Sequence, residues 1–196
     1  MNLRGSKTYE NLMRAFAGES QARNRYNIAA SAAKKEGFQV IEAVFNYTAD
    51  QERAHAKVFY EKLKEVAGDN INISGGYPVD LYDSTAKALR AAQHNELEEW
   101  DEVYKNFGKI AKEEGFTAIS YVFESIANIE KTHAYRFGRL ADEIEDGTIF
   151  KRDEEIEWMC TVCGHIHVGK ESPKVCPVCQ HPQGYFIPFA ESFAQN

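Results

Sequence analysis

The chain has 196 residues, enough for one domain of ordinary size plus a small module. Acidic residues outnumber basic ones 30 to 23, giving a net charge of −7, and no basic stripe with interleaved aromatics occurs, so no nucleic-acid partner is expected. Met1 to Glu10 has no apolar core for secretion, and no run approaches the ~18 apolar residues of a membrane span, so the expected address is the cytoplasm, with no membrane partner.

Between about Thr8 and Lys35, the residues Leu12, Phe16, Ala22, Tyr26, Ala30 and Ala33 recur at threes and fours among charged positions, the pattern of an amphipathic helix. Gly37 marks a turn, and a second periodic segment passes through Val40, Val44, Tyr47, His55, Val58 and Leu63 to about Ala67. From Gly68 to Asp83, around Gly75-Gly76-Tyr77-Pro78, the chain is neither periodic nor strongly apolar and predicts a long connection. A third helix is expected from about Ser84 to Lys112, a turn at Gly115, and a fourth helix to about Glu145. At about 3.3 Å per residue the connection reaches ~50 Å, which spans a ~28-residue helix of ~42 Å. One long crossover between the second and third helices is the ferritin-like form of a four-helix bundle.

The two hairpins are copies. A shift of 78 places Tyr26 on Tyr104, Ile41 on Ile119, Phe45 on Phe123, Phe59 on Phe137, and Glu52-Arg53-Ala54-His55 on Glu130-Lys131-Thr132-His133. A Glu-x-x-His spacing puts carboxylate and imidazole on one helix face, and two such pairs facing each other make a two-metal site. Glu19 lies 18 residues before Gly37 and Glu52 lies 15 after it, while Glu96 and Glu99 lie 19 and 16 before Gly115 and Glu130 lies 15 after it. At ~1.5 Å per residue these positions share one level, so Glu19, Glu52, His55, Glu96, Glu99, Glu130 and His133 are expected to converge.

Glutamates on helices are ordinarily solvated. Here Glu19 follows Ala15-Phe16-Ala17-Gly18, and Glu130 follows Ile126-Ala127-Asn128-Ile129. Five buried carboxylates would repel one another unless cations joined them, and an oxygen-rich site with two imidazoles suits iron or manganese, although zinc also binds such donors. Tyr26 and Tyr104 are the paired aromatics nearest the site, and their phenols are expected to bond to ligand carboxylates. His94 points about 160° from Glu96 on an ideal helix and is expected at the surface. The frame has one irregularity: the equivalent of Glu19 is Leu97, while the candidate acids are Glu96 and Glu99. Either a π-bulge adds one residue to the third helix, or that helix is regular and rotated.

After Gly147 the composition changes, and a small β-turn-rich module is expected, with its boundary within 148 to 156. The expected domains are 1–148 for the bundle and 156–196 for the module. Cys160-Thr161-Val162-Cys163 and Cys176-Pro177-Val178-Cys179 are two Cys-x-x-Cys knuckles separated by twelve residues, a tetrathiolate metal site. The knuckles alone fit structural zinc and one-electron iron equally, and the attached two-metal bundle tips the choice to iron. His165, His167 and His181 are surplus to four thiolates and read as surface or packing residues.

The stretches Glu19 through Tyr26, Asp50 through His55, Glu96 through Glu99, Ile129 through His133 and the two knuckles together resemble the rubrerythrin family over essentially the whole chain. The resemblance implies a mainly α, ferritin-like di-iron bundle followed by a rubredoxin-like iron domain, and a peroxidase that reduces hydrogen peroxide to water in oxidative-stress defence. By matching positions it implies that Glu52 and Glu130 bridge two irons, that Glu19 is terminal on one, that Glu96 and His133 are terminal on the other, and that the first iron exchanges Glu99 for His55 on reduction. Electrons are then expected from an external donor such as rubredoxin or an NAD(P)H-dependent reductase. Glu130 lies 18 residues, or ~27 Å, from the helix end leading to the module, too far for fast tunnelling, so a head-to-tail homodimer is expected. The rival readings are a ferroxidase or oxygen-activating di-iron protein, and an iron-binding or storage protein. The chain departs from the family at Gln180, where glycine often follows the last cysteine of the knuckle; the expectation is an intact fold with altered hydrogen bonding to sulfur.

Overall fold

A computed structural model describes residues 2–192. Helix α1 spans Lys7–Lys35, opened by the Ser6 hydroxyl, which accepts from the Tyr9 N–H at 3.0 Å, and closed by Lys34 and Lys35 at its negative end. Gly37, at φ +85°, reverses the chain into α2, Gln39–Lys62. After a 3-10 turn at Lys64–Val66 the connection runs without regular structure to Ser84, the N-cap of α3 (Thr85–Glu98). A π-helical turn, Glu99–Val103, joins α3 to α4 (Tyr104–Glu113), and α5 spans Thr117–Glu145.

The duplication is kept in the packing. The carboxylate of Glu36, at the end of the first hairpin's opening helix, accepts from the Thr85 N–H at the start of α3 (3.0 Å). Its copy Glu114 accepts from the N–H groups of Lys7 and Thr8 at the start of α1 (3.0 and 2.8 Å). Each helix start is thereby capped by the other hairpin. Tyr26, Phe45 and Phe137 form one aromatic trio, with ring centroids 5.1 to 6.1 Å apart. Their duplicates Tyr104, Phe123 and Phe59 form another, at 5.0 to 6.0 Å. Two apolar clusters built around these trios occupy the bundle.

The π turn settles the irregularity in the sequence. Buried Thr8, Leu12, Ala15 and Glu19 correspond to buried Thr85, Leu89, Ala92 and Glu96, a shift of 77, whereas Tyr26 and Ala33 correspond to Tyr104 and Ala111, a shift of 78. The second copy therefore holds one extra residue between these points, accommodated where the helix widens. Glu96 faces inward and Leu97 outward, 39% exposed.

In the C-terminal module, β1 (Lys151–Cys160), β2 (Ile166–Glu171) and β3 (Phe186–Pro188) form an antiparallel sheet in the order β2-β1-β3. Strand β1 begins at Lys151, inside the boundary expected within 148 to 156, and Lys151 already pairs with Glu171 across a register shift. The buried Trp158, Cys160, Cys176 and Phe186 are its core. The module sits on the bundle end marked by Gly37: Phe38 stacks on Phe150 at 6.2 Å, and Arg139 pairs with Glu191 at 2.9 Å. At Gly184 any Cβ would fall 1.9 Å from the Gly37 carbonyl oxygen, so only glycine permits this approach. Among the described residues no helix is long and apolar enough to cross a membrane.

Candidate metal centre

Glu19, Glu52, Glu96, Glu130, His55 and His133 are all buried, on α1, α2, α3 and α5. They form two overlapping groups, Glu19, Glu52, His55 and Glu130 in one and Glu52, Glu96, Glu130 and His133 in the other, each with its donor atoms within 4.8 Å of one another. Glu52 and Glu130 belong to both, and each divides its oxygens between them. Glu52 Oε2 lies 3.0 Å from His55 Nδ1 and Glu52 Oε1 3.0 Å from His133 Nδ1. Glu130 Oε1 lies 3.0 Å from His55 Nδ1 and Glu130 Oε2 2.8 Å from His133 Nδ1. The remaining acids complete one group each: Glu19 Oε2 is 3.8 Å from His55 Nδ1, and Glu96 Oε2 is 3.6 Å from His133 Nδ1.

The outer oxygens of the terminal acids are held from behind. The Tyr104 hydroxyl donates to Glu19 Oε1 at 2.6 Å, and the Tyr26 hydroxyl donates to Glu96 Oε1, each phenol crossing to the other hairpin. Burial, then the charge of nearby glutamates, raises both phenols well above their usual range, so they stay protonated donors. The inner atoms, Glu19 Oε2, Glu52 Oε1, Glu96 Oε2, both oxygens of Glu130 and His133 Nδ1, crowd one another without a well-aligned hydrogen bond. So many orphaned buried acceptors pointing at common centres fit cations rather than a packed core.

The electrostatics lead to the same conclusion. Burial and the facing Glu130 hold Glu19 well above the usual carboxylate range, and burial with Glu52 and Glu130 pushes Glu96 up to about 8. Burial alone would raise Glu52 too, but the close imidazoles of His133 and His55 bring it down to about 2. Burial alone would lower His133, whereas the close carboxylates of Glu130, Glu52 and Glu96 push it up to about 12. Protons thus take the places of cations, and metals binding here displace them.

Glu99 alone of the seven expected residues stands outside both groups. It is the first residue of the π turn and only half-buried, with its pKa raised well above the carboxylate range by burial and by Glu19. His55 occupies the first group in this conformation. His94 is exposed beside Glu98, as expected.

In the module the four sulfurs lie within 4.8 Å of one another, with Cys160 to Cys179 and Cys163 to Cys176 at 3.7 Å. That is too long for a disulfide and close to the ~3.8 Å edge of a tetrahedron with metal–sulfur bonds of ~2.3 Å. The knuckles repeat each other: Gly164 N–H donates to the Cys160 carbonyl at 2.8 Å and Gln180 N–H to the Cys176 carbonyl at 3.0 Å.

A family model described as Rubrerythrin matches residues 10–141, and one described as Rubrerythrin, rubredoxin-like domain, matches residues 158–187. The chain belongs to the rubrerythrin family. Rubrerythrin of Porphyromonas gingivalis is 46% identical over 192 residues, covering 98% of this chain and 94% of that protein. Rubrerythrin-1 of Clostridium acetobutylicum is 47% identical over 194 residues, covering 98% and 99%. A nigerythrin structure described as fully reduced and all ferrous superposes with a TM-score of 0.62 at 29% identity, covering 95% of this chain and 91% of that one. Rubrerythrins are di-iron proteins of the oxidoreductase class, and both donor sets that such a protein needs are present.

Sequence reading missed the anchoring of the crossover. Asp80 accepts from Arg25 at 2.7 Å and from Asn95 at 2.6 Å, pinning the connection over α1 and α3. A lone aspartate after Tyr77-Pro78 was the only signal.

Proposed function

We propose that this protein is a cytoplasmic peroxidase that reduces hydrogen peroxide to water, with two irons in the bundle and a third on the four cysteines. The reading is carried by the division of the Glu52 and Glu130 oxygens between two adjacent donor groups, a set that would hold two redox-active cations side by side. Two ferrous ions held there supply the two electrons that, with two protons, convert hydrogen peroxide to two waters.

The chain's own residues set the conditions. Glu52 and Glu130 would serve both cations, Glu19 the first alone, and Glu96 with His133 the second. Tyr26 and Tyr104 keep their phenol protons and fix the terminal acids, while the aromatic trios exclude bulk water from both ends. His55 and Glu99 are alternative occupants of the first group, the imidazole inside and the carboxylate waiting at its half-buried edge.

Cys160, Cys163, Cys176 and Cys179 relay electrons from an external donor such as rubredoxin or an NAD(P)H-dependent reductase. Because the module packs at the Gly37 end and Glu52 lies 15 residues, ~22 Å, along α2 from that glycine, the relay requires the module of a second chain in a head-to-tail dimer. A ferroxidase or storage protein could use the same bundle, but neither needs a thiolate relay.

Stopped-flow oxidation of the reduced, iron-loaded protein tests this reading. Hydrogen peroxide should oxidise it faster than dioxygen does, and the reverse order would replace the peroxidase with an oxygen-using ferroxidase. The double variant Cys160→Ser/Cys176→Ser, pre-reduced and iron-loaded in the bundle, should keep the single turnover and lose steady turnover from an external reductase. Unchanged steady turnover would rule out the relay.

A further inference from the structure

A cavity of about 250 Å³ lies between α1 and the α3–α4 helix, beneath Gly75 to Pro78 of the crossover. Its walls include Glu99 and Tyr104, so it reaches the site at the one of the five acids that is not fully buried.

Gly18 also lines this cavity. It lies within α1, where glycine is a poor helix former, and it directly precedes Glu19. It is buried, yet a Cβ built there would meet no atom within 4 Å beyond its chain neighbours and the adjacent backbone of its own helix. Interiors normally fill such positions, so a buried helical glycine facing open space marks a volume kept clear of side chain. In the second hairpin the equivalent position is Asn95, whose amide is tied to Asp80.

The roof is fixed at both flanks. Arg14 Nε donates to the Ser74 carbonyl at 3.0 Å, and Arg25 pairs with Asp80 at 2.7 Å with both side chains largely buried. The two guanidiniums are engaged further, Arg14 by Asn11 and Glu10 and Arg25 by Gln21. Both charges are thus engaged in holding the roof, and neither is left to hold an anion. Such a passage suits a small neutral molecule better than an anion.

We propose that this cavity is the passage by which a peroxide reaches the Glu99 edge of the metal centre, and that Gly18 is the residue that keeps it open. The proposal rests on the peroxidase reading for its substrate but not for its geometry, and the experiment separates the two. In iron-loaded protein, the series Gly18→Ala, Gly18→Val and Gly18→Leu should keep full metal content and an equal or higher Tm. The second-order rate of oxidation by hydrogen peroxide should fall with side-chain volume, by about tenfold or more at leucine. In a separate variant, Gly18→Cys, the introduced thiol should be modified in the folded protein by methyl methanethiosulfonate, seen as a mass increment, and the modified protein should regain its peroxide rate when dithiothreitol removes the group. Wild-type rates across the fully metallated series, or an introduced thiol that stays unmodified until the protein unfolds, would overturn the passage. If the parent protein fails to react with hydrogen peroxide, the peroxidase reading falls, and thiol modification still decides whether the passage is open.

Discussion

The two hairpins of the bundle carry the same donors in the same order, yet they are not equivalent. On the first, α1 offers Glu19 and then Ala22 at the next inward turn; on the second, α3 offers Glu96 and the π turn then presents Glu99. One added residue leaves the bridges and histidines symmetric while giving a single half a spare acid. His133, on the second hairpin, is fully buried, whereas His55 on the first is 7% exposed. A duplicated scaffold can thus keep two matching donor groups and still place a spare acid beside one of them, because helix geometry localises the change to a single turn.

The largest expected effect tests the symmetric part. Glu52→Ala and Glu130→Ala each remove an acid whose two oxygens serve both groups, so each should weaken the bundle for both metals by more than about 100-fold and leave only the cysteine-bound metal. Elemental analysis of the two variants should give the same answer. Loss of a single metal in either would show that the bridging description of that acid is wrong.

The next tests the asymmetric part. His133→Ala removes a buried donor with no substitute at hand, and metal content should fall about 10- to 100-fold in affinity in both oxidation states. His55→Ala should retain oxidised metal through Glu99 and lose turnover instead, because the reduced state lacks its alternative donor. Metal analysis on oxidised and reduced samples of both variants distinguishes these outcomes. Equal loss in all four samples would mean that Glu99 does not substitute, and the two halves would then be functionally alike.

Most of this arrangement was legible in the sequence because it depends on periodicity. Helical spacing put Glu19, Glu52, Glu96 and Glu130 on one level, and the repeat assigned Tyr26 and Tyr104 to matching places. The π turn showed only as a conflict between Leu97 and its neighbours, since a one-residue insertion and a rotated regular helix leave the same trace in a single chain. Where contacts join distant, non-periodic stretches, nothing local announced them. Asp80 meets Arg25 across 55 positions, and the space in front of Gly18 is a property of several elements at once. The start of β1 was hidden because Lys151 through Glu155 is charged and does not alternate, as suits a strand whose first residues pair at one exposed edge across a register shift.

The same kind of comparison, on a smaller scale, gives the weakest expected effect. The two knuckles of the module are near copies, but the residue closing the first is Gly164 at φ +75° and the one closing the second is Gln180 at φ +61°. Both N–H groups donate to the carbonyl four residues back, so the left-handed turn is required in both, and only glycine adopts it without steric cost. Gln180 gains one contact in return, from its amide to the Pro177 carbonyl at 3.3 Å, a long bond on an exposed residue. Gln180→Gly should therefore stabilise the module by about 0.5–1 kcal/mol, the relief of a left-handed residue less the lost bond and the greater freedom of glycine in the unfolded chain. Thermal loss of the tetrathiolate absorption band, followed with the bundle metal-loaded, would read this as a higher midpoint. A midpoint that drops would mean that the side-chain bond outweighs the backbone strain, and that the second knuckle is closed by a different balance of forces from the first.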